Sequence, residues 1–456
     1  MMSLTTNLAP DEAWQPYEPT DTEPFNRRAA AHLYRRAGFA TTFDGLDQAV
    51  QVGPQAAVTQ LLEAPTAHPQ FAEEMSRMVQ SVLAGNNPEA LASWWLYRMR
   101  HTPAPLLEKT TLFWHGHFAT SAAKVKEAKL MLRQNELLRQ NALGSFTAML
   151  QGMSRDPAML LFLDSATNRK THPNENFARE VMELFCLGVG KYSEKDIQQL
   201  ARCFTGWEIQ HGEFKFNQYQ HDYGAKTLFG HGGKWDGDQG LAEILKQPAA
   251  ADFLCTKLVR FFVADELELT PALLAPLAES LRQSAFKLAA VVEKILRSRL
   301  FFSLPMRGAK VRSPVEVGIG LLRALDMTAN MNALVDHLRA MGQLPLFPPN
   351  VKGWNGGREW INASTILARA NRARQLIDNN ETQFGGGSLE AYLTRCGLTE
   401  NQAIVGGLSE LLLAVDPPAE VQEQLVAALA EPGVPREQRL RHCVHACVTL
   451  PEFHVS

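Results

Sequence analysis

The sequence predicts an all-α protein: a large multi-helix assembly with one small β-hairpin. Three observations carry this. Apolar residues recur at helical spacing through most of the chain. Start and stop residues bracket many of those runs. A strand–turn–strand pattern stands out at 207–217.

The elements follow in order. A first helix over 27–37 ends at Gly38, a residue suited to the position after a helix. A second runs over 46–62 and is interrupted near Gly53-Pro54. Helices over 88–100, with Trp94 and Trp95, and over 106–114 come next. A long amphipathic stretch over 122–141 places Lys126, Lys129 and Arg133 on one face, read as solvated. Helices over 146–152, 157–163 and 176–187 follow. The 193–204 helix opens on Ser193 and Asp196, spaced as a capping box. WEIQ-HG-EFKFN then reads as two short strands around a His211-Gly212 turn. Helices resume over 240–246, 250–263, 271–283, 288–297, 315–325 and 332–341. A Gly-, Pro- and Trp-rich loop fills 344–362, and another helix starts near Ser364, capped by Ser364 or Asn362. Four short helices complete the chain.

Length and composition set the organisation. The chain has 456 residues, 45% of them apolar and 20% charged, enough for a large buried core. The expected layout is a flexible N-terminal arm over 1–24, a main helical body over 25–382 and a C-terminal helical segment over 383–456. Gly385-Gly386-Gly387 is read as the linker before the last segment. A formal net charge of −3 with dispersed Lys and Arg gives nucleic-acid binding no bulk support. No apolar run approaches the roughly 18 residues of a membrane span. The acidic N-terminus lacks the features of a secretory signal, so the expected compartment is the cytoplasm. The six cysteines show no framework spacing and read as free thiols.

Several polar residues stand where an ordinary core would not place them. In PNENFAREVMELF, Asn174 is a natural helix cap, and Asn176, Glu180 and Glu183 form a strip beside the apolar face. Asp164 and Asn168 follow an apolar run just upstream. Asp164, Asn176 and Glu180 are hard oxygen donors of the kind a divalent cation takes, which makes them the candidate metal ligands. The competing reading is a buried Arg–Glu–Asn network that fixes helix packing. In FWHGHF, His115 and His117 would point about 200° apart on a regular helix, while Gly116 allows a bend that brings them together. His221-Asp222 either pairs an imidazole with its orienting carboxylate or closes a turn. In NVKGWNGGREWIN, the glycines allow close backbone approach. Asn350, Lys352, Trp354, Arg358, Trp360 and Asn362 would suit stacking on a sugar ring or clamping an anionic group. No GxSxG, HExxH, paired CxxC, GxxxxGK[ST] or GxGxxG pattern is present, which removes serine-hydrolase, classical zinc-protease and nucleotide-loop readings.

The stretches FNRRAAAHLYRRAGF, EKTTLFWHGHFATS, HPNENFAREVMELFCLGVGKYSEKDIQQLARCFTGW, HDYGAKTLFG and PPNVKGWNGGREWIN occur in that order. Together with the ending TLPEFHV they resemble the signature stretches of the bacterial family called domain of unknown function 1800, over 25–456. That family is uncharacterised. The resemblance implies a gene-pair partner from a second family related to alkaline phosphatases and sulfatases, whose members often carry twin-arginine export signals. A chain of this kind would reach the periplasm only with such a signal-bearing partner.

Two functional expectations follow. In the first, the protein is a hydrolase or transferase acting on a glycan or anionic conjugate, by acid–base or metal-assisted chemistry. His115, His117, Glu180, Glu183, His221 and Asp222 are then the candidate catalytic groups. Any cofactor would be a divalent cation, Mg, Ca or Zn. In the second, the protein is a non-enzymatic binding or chaperone-like partner of the phosphatase/sulfatase-like protein, marked by an exposed apolar patch.

Overall fold

The computed structural model describes residues 4–63 and 69–456, so residues 1–3 of the expected arm fall outside it. Among the described residues the chain forms twenty-five α-helices, short 3₁₀ and π turns, and two two-stranded antiparallel sheets. None of the described helices is long and apolar enough to cross a membrane.

The expected hairpin pairs Trp207–Gln210 with Glu213–Phe216. His211 and Gly212 both take positive φ at its turn, +53° and +76°, as a tight hairpin requires. A second hairpin, Lys226–Leu228 with His231–Gly233, adds to the predicted set. Its turn, Phe229-Gly230, also has positive φ, but Phe is not a residue that announces such a turn. The helix expected over 122–141 divides into Ala122–Val125 and Ala128–Asn141. Lys126 is left-handed between them, and the Asn86 side chain accepts from Ala128 N, starting the second helix from across the fold. Pro69–Ala84 is a further helix without a counterpart in the sequence reading.

Residues 4–24 lie against the body. The Trp14 indole donates to Leu273 O at 2.6 Å, and Tyr17 stacks on Phe302 with centroids 4.5 Å apart. At the other end, the three glycines at 385–387 form a tight turn whose Gly385 N–H donates to Asp326 O. Beyond it, Asn401–Leu412 packs on Arg27–Gly38, and Arg436–Thr449 packs on Ala363–Asp378.

The helix Pro105–His117 occupies the middle. Pro105 opens it, where a missing N–H costs nothing. Helices Arg27–Gly38, Pro54–Leu62, Pro88–His101 and Ala128–Asn141 pack around it. Burial reaches polar positions too: Glu108 and Lys109 are both fully buried. A buried charge must be paired. Glu108 receives Arg98 at 2.5 Å, Arg139 at 2.7 and 3.1 Å, and the Trp95 indole at 2.9 Å. Burial alone would raise its carboxyl, but Arg139 and Arg98 overcome that and hold it at about 2. Lys109 donates to Glu316 at 2.6 Å and to Arg35 O at 3.2 Å. Glu316 lies on Pro314–Ala324, where it also closes a capping box with Ser313. Burial pushes its carboxyl up, and Lys109 and Lys310 more than reverse this.

Removing the ammonium would leave Glu316 buried without its direct ion-pair partner. Lys109→Met is therefore expected to destabilise the fold by about 3–5 kcal/mol, read as a lower urea midpoint. The double variant Lys109→Met/Glu316→Leu should recover most of the loss. A single variant that unfolds at the wild-type midpoint would contradict the pairing.

Candidate functional site

The central helix ends at a cleft. Phe113 and His117 contribute one wall, Lys257, Arg260 and Phe261 of the Pro248–Phe262 helix another, and the 344–362 loop a third. The cleft encloses about 570 Å³, room for a small organic ligand.

Gly116 does not break the helix, which stays regular through His117. The two histidines therefore face different surroundings. Leu346 N–H donates to His115 Nε2 at 3.0 Å, so the His115 proton sits on Nδ1. The ring packs edge-on against Trp95 and Trp354. Burial pushes its pKa down to about 4. His117 instead donates from Nε2 to Phe185 O at 3.0 Å, leaving Nδ1 as an acceptor. That acceptor faces Lys257, whose Nζ lies 3.2 Å away and also donates to Leu184 O at 3.1 Å. Burial, then the Lys257 charge, holds His117 well below the usual range.

The two carbonyls are available because of local helix geometry. Glu175–Glu180 is α-helical, but Val181–Cys186 widens to a π-helix, a form that often marks a functional position. Leu187 and Gly188 both turn back to Met182 O. Leu184 O and Phe185 O then point to Lys257 and His117.

The loop reaches the cleft through its glycines. Gly353 has φ +77°, and a Cβ there would fall 2.3 Å from Gly116 O. The close approach is to the end of the central helix itself. It sets Trp354 beside His115 and places Lys352 on the cleft. Arg358 makes a two-pronged pair with Glu266, at 2.6 and 2.7 Å, and Trp360 closes the far side.

His117, Lys352, Trp354, Arg358 and Trp360 thus share one cleft. Glu180 lies within electrostatic reach of its rim: burial and Glu183 raise its carboxyl, and Lys352 opposes them. Glu183 accepts from the Tyr192 hydroxyl at 3.1 Å. The other expected residues have separate partners. The exposed Asp164 pairs with Lys124 at 2.8 Å. Asn176 is exposed, and its backbone N–H is capped by Asn174. His221 donates from Nδ1 to Thr205 O, while Asp222 pairs with Arg202 at 2.7 Å instead of with its neighbour. Asn350 accepts from Lys352 N, and Asn362 caps the Ala363–Asp378 helix. Among the described residues, no group of three or more His, Cys, Asp or Glu side chains could hold a metal ion.

The sequence reading missed Lys257 and Arg260. Both sit in the apolar run FLCTKLVRFF, three residues apart on the edge of a helix. Lys257 has no carboxylate among its described partners, and Lys352 acts on Glu180 at longer range.

Fold and site together describe a helical protein with an aromatic-walled cleft at the end of a buried helix, lined by Lys and Arg side chains and by the carboxylates Asp265, Glu266, Glu316 and Glu359. The family model described as a protein of unknown function (DUF1800) matches residues 32–455, and the chain belongs to that family. No curated protein and no solved structure matches it.

The burial of His115 has a pH consequence. The folded protein keeps it neutral down to about pH 4, whereas an unfolded histidine protonates near 6.5. Its lowered pKa leaves stability unchanged above about pH 7 and removes stability as pH falls from 6.5 towards 4. His101 and His454, also brought by burial to about 4, act in the same direction. The thermal midpoint should be flat at neutral pH and fall by several degrees by about pH 5. A constant midpoint over that range would rule out a neutral, buried His115.

Proposed function

We propose that the cleft is the active site of a hydrolase or transferase that acts on an anionic conjugate by acid–base chemistry. The observation that carries this reading is Lys257. It is an amine in a cleft wall, without a carboxylate partner among the described residues, held by His117 Nδ1 and Leu184 O. Burial pushes its pKa down to about 8, where one group can both accept and donate a proton near neutrality. Arg260 and Lys352 supply charge for the anionic group, and Trp354 and Phe113 supply flat apolar walls for the rest of the conjugate.

Binding is tested by calorimetry with glucose 6-phosphate, glucuronate and glucose. The anionic probes should bind and glucose should not. Arg260→Ala and Lys352→Ala should each weaken binding by about tenfold or more, the loss of one charge-assisted hydrogen bond. With chromogenic aryl phosphate and aryl glucuronide esters, Lys257→Met should lower kcat by about 100-fold. Equal affinity for glucose, or turnover unchanged in Lys257→Met, would refute the reading.

One observation favours a second reading, docking of a phosphatase/sulfatase-like partner. Ile361, Ile366 and Leu367 are exposed beside Trp360, with Leu367 at 61%. Co-purification with such a partner should depend on these side chains. Retention that is unchanged in Ile366→Ser/Leu367→Ser would count against that surface.

A further inference from the structure

Lys257 lends itself to more than proton transfer. A neutral amine nitrogen has four directions: the bond to Cε, two N–H bonds and one lone pair. At Lys257 two acceptors are in place for the two N–H bonds, Leu184 O at 3.1 Å and His117 Nδ1 at 3.2 Å. Both acceptors are themselves fixed. Leu184 belongs to the π-helical turn, and His117 is pinned through Nε2 to Phe185 O. The direction left over belongs to the lone pair, and Lys257 lines the cleft. A carboxylate partner would hold the nitrogen as ammonium and occupy that direction. None is present among the described residues.

We propose that Lys257 is a nucleophile that forms a Schiff base with an aldehyde or ketone bearing an anionic group. The proposal rests on the reading of the cleft as the ligand site, and it names the substrate class. The lone pair attacks the carbonyl carbon, a C–N bond forms, and the C=O π pair moves to oxygen. One nitrogen proton is transferred to that oxygen, giving a carbinolamine. The C–O bond then breaks, and the oxygen leaves as water with the second nitrogen proton. The products are the imine and one water, with no change in oxidation state. His117 Nδ1, already the acceptor of an amine N–H, orients the nitrogen for the attack. Arg260 and Lys352, on the same cleft, select for the anionic group.

The surroundings support the chemistry. The nitrogen also lies over the Phe253 ring, 4.8 Å from its centroid. Burial brings its pKa to about 8, so about a tenth is neutral at pH 7, against about 0.03% of an ordinary lysine.

The test uses the unmodified full chain, glyoxylate as the anionic aldehyde and cyanoborohydride to trap the imine, with peptide mapping by mass spectrometry. Lys352, exposed on the same cleft, is the internal reference. Lys257 should be labelled at least tenfold faster than Lys352 at pH 7. Its rate should level off near pH 8. Replacing glyoxylate by propanal should slow Lys257 more than Lys352. Labelling of Lys257 no faster than Lys352 would overturn the proposal. If that occurs while glucose 6-phosphate still binds, the cleft reading stands and the imine falls. If Lys257 labels selectively and no anionic probe binds by calorimetry, the nucleophile stands and the acid–base reading on anionic conjugates falls.

Discussion

The structure depends on the need to neutralise two adjacent charges in the buried stretch of the central helix. Glu108 and Lys109 follow each other on the central helix, so their side chains leave it about 100° apart. Each needs its own counter-charge from a different direction. Glu108 draws in Arg98 and Arg139 from two neighbouring helices. Lys109 draws in Glu316 from a third. An apolar helix could slide or rotate within its bundle at small cost. This one cannot, because any shift would strip a buried charge of its partner. The pairs therefore fix the helix in both register and rotation.

That fixed rotation decides what lies at the helix end. His115 and His117 inherit opposite aspects from the same geometry. One is turned towards Trp95 and Leu346, the other towards the π-helical turn and Lys257. Gly116 between them contributes a bare surface on which Gly353 can rest, not a bend. The close glycine contact brings Lys352 and Trp354 to the cleft, so the loop's position also traces back to the buried pairs.

The sequence made the local features legible and left the long-range ones hidden. The Ser193–Asp196 capping box, the Asn362 cap and the His211-Gly212 hairpin each depend on residues within a few positions of one another. The second hairpin has strands of three residues and a Phe-Gly turn, too little pattern to read. The break at Lys126 depends on Asn86, which is distant in sequence. The same limit applies to the site. The loop residues and His117 carried composition signals, and their convergence is legible after the fact. Lys257 carried none. Inside an amphipathic helix it resembles any solvated lysine, and its distinguishing contact is with a histidine 140 positions away. The π-helical turn that supplies Leu184 O has no compositional mark at all.

Cations at the ends of helices have a common task here. The last carbonyls of a helix lack internal partners and carry partial negative charge. Arg36 meets that need for the Pro248–Phe262 helix, donating to Phe262 O and Val263 O and also to Met306 O and Ser456 O. It is sealed from solvent, and both of its terminal nitrogens are committed to carbonyls. Lys257 does the same for the π-helical turn through Leu184 O, but it stands at a cleft wall and has one direction of its nitrogen left over. The two residues differ less in their chemistry than in their exposure. A capping cation becomes a ligand-facing group when the structure places it at an opening, and the opening here exists because the central helix, held by Glu108 and Lys109, ends where it does.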